Sequence, residues 1–292
     1  MKKDLYKKAI EYGLQGQFDR LLSVEGKEFT YPGQAHRQTG LSYIMGHNSS
    51  TKTLKNLAFN YTSGVLYLSA SDNSGVNICP KATSGCKAAC LYFTGRNAMR
   101  SKGELISRNN ASQFLKTVLF FINRPYFMDW LQADIEALIR RKKAEQKICV
   151  RLNGTSDINI KTFKNSKGEL LIEKYPQVQF YDYTKVYSYL ENEKKFPNYD
   201  LTFSYGGTEN LEETLRVLAE GYRIAVPFDK KSFGGHFPET FFGRPVVDGD
   251  ENDLTFLQAK DVIYGLKVKT PLKSKEGYEK FVKENDFFIK MI

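Results

Sequence analysis

The spacing of hydrophobic positions changes near residue 55. Before it, Leu5, Ile10, Leu14, Phe18 and the Leu21–Leu22 pair recur at helical intervals, which predicts a helix over residues 4 to 23. A polar, glycine-containing stretch without a clear period follows. Beyond residue 55 the pattern becomes short β-rich runs separated by helical stretches. The first run is Val65-Leu66-Tyr67-Leu68-Ser69, and others are Ile148 to Leu152, Val178 to Tyr181, Leu201 to Ser204, Arg223 to Val226 and Val262 to Leu266. Helices are predicted over 103–121, 125–144, about 185–193 and 208–220. The second of these has Pro125 in its first turn, Phe127, Leu131, Ile135 and Leu138 on one face, and the basic run Arg140 to Lys143 at its end. Strands alternating with helices at intervals of about 20 to 30 residues predict βα units and a mostly parallel sheet. The fold expected is α/β: a partial (βα) barrel of about six mostly parallel strands over residues 56–292, preceded by an N-terminal helical extension over residues 1–55.

The chain has 292 residues, 41% of them hydrophobic, enough to bury a large core, and no internal repeat or low-complexity linker divides it. Its longest apolar stretches, such as Thr117 to Ile122 and Val262 to Leu266, fall far short of the roughly 20 residues that cross a bilayer. The opening MKKDLYKKAIEYG lacks the apolar region of a signal peptide, so no membrane association and a cytoplasmic location are expected. A formal net charge of +10 favours an anionic partner such as a nucleotide, DNA or RNA. The basic residues are spread along the chain. Their densest runs are Arg140 to Lys143, which reads equally as a solvated helix end, Lys267 to Lys275, and the pair Lys194-Lys195.

Chemistry concentrates in one loop. Cys79-Pro-Lys-Ala-Thr-Ser-Gly-Cys86-Lys-Ala-Ala-Cys90 has the spacing C-x6-C-x3-C directly after the first predicted strand, with Pro80 and Gly85 shaping the turn. Three clustered cysteines in a reducing compartment favour a metal over disulfides. A structural zinc site takes four protein ligands, whereas three thiolates on a [4Fe–4S] cluster leave one iron open for chemistry. Zinc with His47 or His36 as fourth ligand, or unligated buried thiols, are the alternatives. Cys149, in a predicted strand on the same face as Arg151, reads either as a fourth thiolate or as a core cysteine.

Ligands of parallel sheets and barrels bind at the carboxyl ends of strands, and several polar groups sit there. Asn153, Thr155, Ser156 and Asp157 follow one strand around Gly154, as cofactor contacts or as a turn. Asp182, Tyr183 and Lys185 end the next; Asp182 and Lys185 are the candidate catalytic acid and amine, with a surface ion pair as the alternative. Ser204, opposite in alternation to Leu201 and Phe203, is expected to point inward with Thr202. Asp248, Asp250 and Asp253 read as a capped acidic turn or, less fittingly, a hard-cation loop without EF-hand register. His236 and His47 lie beside glycines with nothing to pair them.

The Cys79–Cys90 loop, Arg151-Leu-Asn-Gly-Thr-Ser-Asp157 and Pro245-Val-Val-Asp-Gly-Asp250 together resemble the gene product 88-like family of phage and plasmid proteins. The similarity also takes in Phe180 to Lys185 and Leu201 to Ser204. That resemblance implies a phage or plasmid context, with the host cytoplasm as location. A second similarity is to the radical S-adenosylmethionine superfamily, whose partial (βα) barrels carry a three-cysteine loop after the first strand. The spacing departs from that superfamily's usual C-x3-C-x2-C, and Asn153 to Asp157 stand where its glycine-rich cofactor contact would be. This likeness implies an enzyme with a [4Fe–4S] cluster on Cys79, Cys86 and Cys90, S-adenosylmethionine as cofactor, an electron donor such as flavodoxin or ferredoxin, and a nucleotide or nucleic acid as substrate. The competing expectation is a zinc- or cluster-stabilised nucleic-acid-binding protein without catalysis.

Overall fold

A computed structural model describes residues 1–191, 195–269, 272 and 274–291. Nine strands form one sheet: β1 (Met45–His47), β2 (Tyr61–Leu66), β3 (Lys147–Arg151), β4 (Val178–Thr184), β5 (Tyr199–Ser204), β6 (Ile224–Phe228), β7 (Thr240–Phe241), β8 (Arg244–Asp248) and β9 (Ile263–Lys267). Their order is β1-β2-β3-β4-β5-β6-β9-β8-β7, and the sheet is not closed. All neighbours from β2 to β8 pair in parallel, while the edges β1 and β7 are antiparallel. The six strands predicted from the sequence correspond to β2 to β6 and β9, the first of them displaced: the run Val65 to Ser69 overlaps β2 only at Val65 and Leu66. The other three escaped notice because they are short and β8 carries Pro245 and Asp248, which interrupt any hydrophobic alternation.

From β2 through β6 to β9 each strand lies beside its predecessor, always stepping the same way across the sheet. Right-handed crossovers then place the connecting helices on a single face. Side-chain alternation follows from this. Ile148, Val150, Phe180, Leu201, Phe203, Ile224, Val226 and Ile263 share one core with Phe114 and Val118 of helix Arg108–Ile122 and Phe127 and Trp130 of helix Arg124–Arg141. Leu5, Ala9, Phe18, Leu21 and Ile44 join that same core, so the N-terminal helices Lys2–Glu11 and Gln15–Leu22 pack directly on the main layer. The helix expected over 4 to 23 is divided by Gly13, whose φ of 69° is ready for glycine and strained for other residues.

The opposite face is polar. Arg223 is fully buried there, ion-paired to Asp200 and donating to Thr202 Oγ1 at 2.9 Å and to the Gln258 carbonyl at 2.9 Å. A flat sheet would leave such a face in water; this one is strongly bent. The rings of Tyr183 on β4 and Tyr264 on β9 lie 6.5 Å apart, although a flat sheet would separate strands three places apart by about 14 Å. The connection between β8 and β9 folds into the concavity, with Phe256 against Tyr61 and Tyr181 at 5.2 and 5.5 Å.

Helix boundaries otherwise follow the expected periods: Arg108–Ile122, Arg124–Arg141 and Leu211–Ala219, the last preceded by a tight turn over Thr208–Asn210. The helix expected over about 185 to 193 is Tyr187–Glu191. Residues 192–194, which include Lys194 of the basic pair, lie outside the described residues, as do 270, 271 and 273 within the Lys267 to Lys275 run. Among the described residues no helix is long and apolar enough to cross a membrane.

Candidate functional site

A cavity of about 250 Å3 opens at the carboxyl ends of the parallel strands, and Cys79, Cys86 and Cys90 all line it. The cysteine loop is held from three sides. Cys79 donates its N–H to Asn77 Oδ1 at 2.9 Å, and the Ala82 N–H closes a turn onto the Cys79 carbonyl at 3.0 Å. Thr83 accepts the Cys86 N–H at 3.1 Å and donates its hydroxyl to the Gly206 carbonyl beyond β5 at 2.6 Å. At Gly85 a Cβ would stand 2.6 Å from Asn285 Oδ1 and 2.7 Å from Phe287 Cβ, so only glycine lets the C-terminal segment lie against the loop.

Cys79, Cys86 and Cys90 are each half-buried. Burial pushes Cys79 up to about 12, although an N–H from Ser71 at 3.2 Å favours its thiolate. Burial likewise pushes Cys90 up to about 11, opposed by the Tyr92 N–H at 3.5 Å and by the charge of Lys185. Without a metal such thiols stay protonated at neutral pH; coordination replaces the proton. Among the described residues no three His, Cys, Asp or Glu side chains form a group ready for a single metal ion. A lone zinc would need all its donors within about 2.3 Å of one point, whereas a cubane takes each thiolate on a separate iron. The three thiols line one cavity, and two of them, Cys79 and Cys90, receive backbone N–H groups.

The proposed fourth zinc ligands are elsewhere. His47 sits on β1 beside Thr62 and Asn48, and His36 bonds the Leu41 carbonyl at 3.0 Å; neither lines the cavity. Cys149 is buried on the concave side of the sheet with Tyr181 and Leu254, against Ser63 Oγ at 3.2 Å, and does not line the cavity.

Asn153, Thr155, Ser156, Asp157, Lys185 and Ser204 are brought together around the cavity. Lys185 donates from Nζ to Ser204 Oγ at 3.1 Å. Asp157 accepts the Thr184 hydroxyl and the Lys185 N–H, both at 2.8 Å, which fixes the end of β4 to the turn after β3. The turn is locked from within: Asn153 Oδ1 accepts the Ser156 hydroxyl at 2.9 Å and the Ile158 N–H at 3.1 Å, and Thr155 bonds the Leu68 carbonyl. Gly154 is required because a Cβ would lie 2.5 Å from the Tyr67 ring and 2.9 Å from the Leu66 carbonyl. These residues form a rigid wall, and none of them caps a helix.

Asp182 is the exception. It is buried to 1% exposure behind that wall and does not line the cavity. Its carboxylate accepts the Asn153 N–H at 2.6 Å, Asn153 Nδ2 at 3.1 Å and the Tyr199 hydroxyl at 2.9 Å. Burial raises it to about 6 against those donors. It positions Asn153; the sequence expectation of a catalytic acid at the cavity has no counterpart in this geometry.

Lys52, Phe287 and Phe288 also line the cavity and were not singled out from sequence, while Lys267 and Lys269 belong to the basic run Lys267 to Lys275, which the sequence showed without placing it at a site. The acidic turn divides. Asp250 accepts the Lys267 N–H at 2.9 Å and Asp248 accepts the Asp250 N–H at 2.7 Å, as in a capped turn. Asp253 is buried between Lys52 at 3.1 Å and Arg151 at 3.4 Å and accepts the Tyr181 hydroxyl at 3.0 Å.

No curated protein and no solved structure matches this chain. The sequence pattern of gene product 88 matches residues 35–284, a span that contains all nine strands, the cysteine loop and most of the cavity wall, and the chain therefore belongs to the gene product 88 family.

Proposed function

We propose that this protein is an iron–sulfur enzyme whose cluster is held by Cys79, Cys86 and Cys90, with S-adenosylmethionine as its cofactor and chemistry of the radical S-adenosylmethionine type. One observation carries the reading. Three cysteines of one loop, placed after β2, the first parallel strand of a singly wound, strongly bent sheet, line a cavity whose other walls come from β3 to β6, β9, the β8–β9 connection and the C-terminal segment. That bend and strand order agree with a partial (βα) barrel. A three-thiolate cubane supplies one-electron reduction to a ligand on its open iron, fed by a donor such as flavodoxin or ferredoxin.

The chain's own residues would bind and orient. Lys185 and Ser204 present an ammonium and a hydroxyl beside Cys90, suited to a carboxylate or ribose. Thr155 and Ser156 offer a wall fixed by Asn153 and Asp182. Phe287 and Phe288 add apolar surface to the cavity lining.

The test is metal content after anaerobic purification. About four irons and four sulfides per chain are expected, with Cys86→Ala losing them while Cys149→Ala keeps them. Stoichiometric zinc without iron, or full iron in the Cys86 variant, retires the reading. S-adenosylmethionine is checked separately, by its cleavage on the reduced, loaded protein; an intact cofactor after reduction removes that part of the proposal alone.

A further inference from the structure

The cavity has a second pole. Lys52, Arg151, Lys267 and Lys269 line it together with Asp250 and Asp253. Asp253 pairs with Lys52 and Arg151, and Asp250 accepts a backbone N–H, while Lys267 and Lys269 form no ion pair among the described residues. Four cations against two carboxylates leave two positive charges in excess. The Tyr183 hydroxyl, beneath the Arg151 guanidinium at 4.5 Å from its ring, is buried without a hydrogen-bond partner. Burial, with Lys52 beside it, holds Lys269 below its ordinary value, against the opposing charges of Asp250 and Asp253.

Asp253 Oδ1, which has no hydrogen bond, is ion-paired to Lys52 at 3.1 Å, so the groups left without a counter-charge at this pole among the described residues are Lys267 and Lys269. The complement is an acceptor-only group carrying close to two negative charges. A carboxylate offers one charge; a phosphate monoester carries about −1.5 to −2 with three acceptor oxygens. We infer that Lys267 and Lys269, backed by Lys52, Arg151 and the Tyr183 hydroxyl, form a phosphate subsite, and that the substrate is a phosphate ester such as a nucleotide. This deepens the proposed function and rests on its reading of the cavity as the functional site. A free nucleotide offers this full charge, whereas a backbone phosphate of a single strand offers the same kind of acceptor oxygens with one charge.

The experiment compares binding of dAMP, deoxyadenosine and an oligodeoxyadenylate to the full chain by calorimetry, with inorganic phosphate as competitor. dAMP is expected to bind at least about tenfold more tightly than the nucleoside, as one charge-assisted contact provides. Lys267→Ala/Lys269→Ala should erase that preference, and Lys267→Arg/Lys269→Arg should retain it, which excludes simple misfolding. Lysine-dependent binding of the oligonucleotide alone also supports the subsite and identifies its source. Equal affinity for nucleotide and nucleoside, a preference that survives the double alanine variant, or no binding of either phosphate probe overturns it. Iron and sulfide measured on the same samples separate the two ideas. Cluster-free protein with an intact phosphate preference retires only the iron–sulfur reading, and loaded protein without the preference retires only the subsite.

Discussion

Asp253→Ala is expected to be among the most destabilising single substitutions available in the concave face. Asp253 links the β8–β9 connection to two strands and to the short helix ahead of β2, through Arg151 on β3, Tyr181 on β4 and Lys52 in the helix Thr51–Lys55. Its removal leaves two cations and a buried phenol without their acceptor. Breaking a buried ion pair costs about 3–5 kcal/mol, and an orphaned hydroxyl about 1–3 kcal/mol. The two are not additive, and the Lys52 and Arg151 side chains retain 21% and 16% exposure toward the cavity, so about 3–4 kcal/mol is the expected net loss. Urea unfolding measures it, followed by far-ultraviolet circular dichroism and by the fluorescence of Trp130, the single tryptophan, buried in the opposite layer. Asp248→Ala serves as control, since Asp248 is half exposed and its nearest cation, Lys230, is 3.6 Å away. Acid should reveal the same interaction. Lys52 and Arg151 hold Asp253 below the usual carboxylate value of 3.8 despite burial, so its contribution is complete above that value and is lost as pH falls through the lower folded value. The variant should therefore lose less stability than wild type on acidification. A loss under about 1 kcal/mol, equal to the control, would refute the role of Asp253 in holding the bend.

Gly85→Ala should cost about 1–3 kcal/mol by pushing Asn285 and Phe287 off the cysteine loop, with faster protease cleavage of the C-terminal segment as the readout; unchanged cleavage would mean that the segment does not rest there. Ser71 donates its N–H to Cys79 from a left-handed φ of 48°, so Ser71→Gly should hold or raise stability by up to about 1 kcal/mol and leave metal content unchanged; a loss of metal would show that the serine side chain itself matters. Asp182 is raised to about 6 by burial, which makes the native state weaken as pH rises from the unfolded value through the folded one, by roughly 3 kcal/mol. Asp182→Asn should flatten that slope in urea titrations between about pH 4 and pH 7, and an unaltered slope would assign it to Asp134, also raised to about 6 by burial.

The parallel sheet and the cysteine loop were legible because both rest on local signals: β-branched and aromatic runs at regular intervals, and three thiols in one short stretch. The cationic pole was not legible. Lys52 precedes β2, Arg151 ends β3, and Lys267 and Lys269 follow the last strand, so only the bend of the sheet makes them neighbours. Phe287 and Phe288 gave no signal either, because a short aromatic pair after a helix has no period to read. The N-terminal helices looked separable because a polar, glycine-containing stretch without a clear period divides them from the β-rich part, yet Leu5, Ala9, Phe18 and Leu21 are buried in the common core. Composition cannot distinguish a helix that closes on itself from one that packs on a sheet.

One distinction was written in the sequence and follows from strand parity alone. In β4, Val178 and Phe180 enter the helix-side core, and Asp182 shares their parity. It must therefore project away from the concave face, as its bonds to Asn153 and Tyr199 show. Tyr181 and Tyr183 have the other parity and face inward, and Lys185 continues it past the strand end to reach Ser204. The same rule takes Cys149 and Arg151 of β3, Asp200, Thr202 and Ser204 of β5, and Tyr264 and Leu266 of β9 to the inner side. A polar residue at a strand end is thus not enough to mark chemistry. Its parity relative to the helix-facing apolar residues decides whether it can touch a ligand, as Lys185 can, or can only hold the wall that does, as Asp182 holds Asn153.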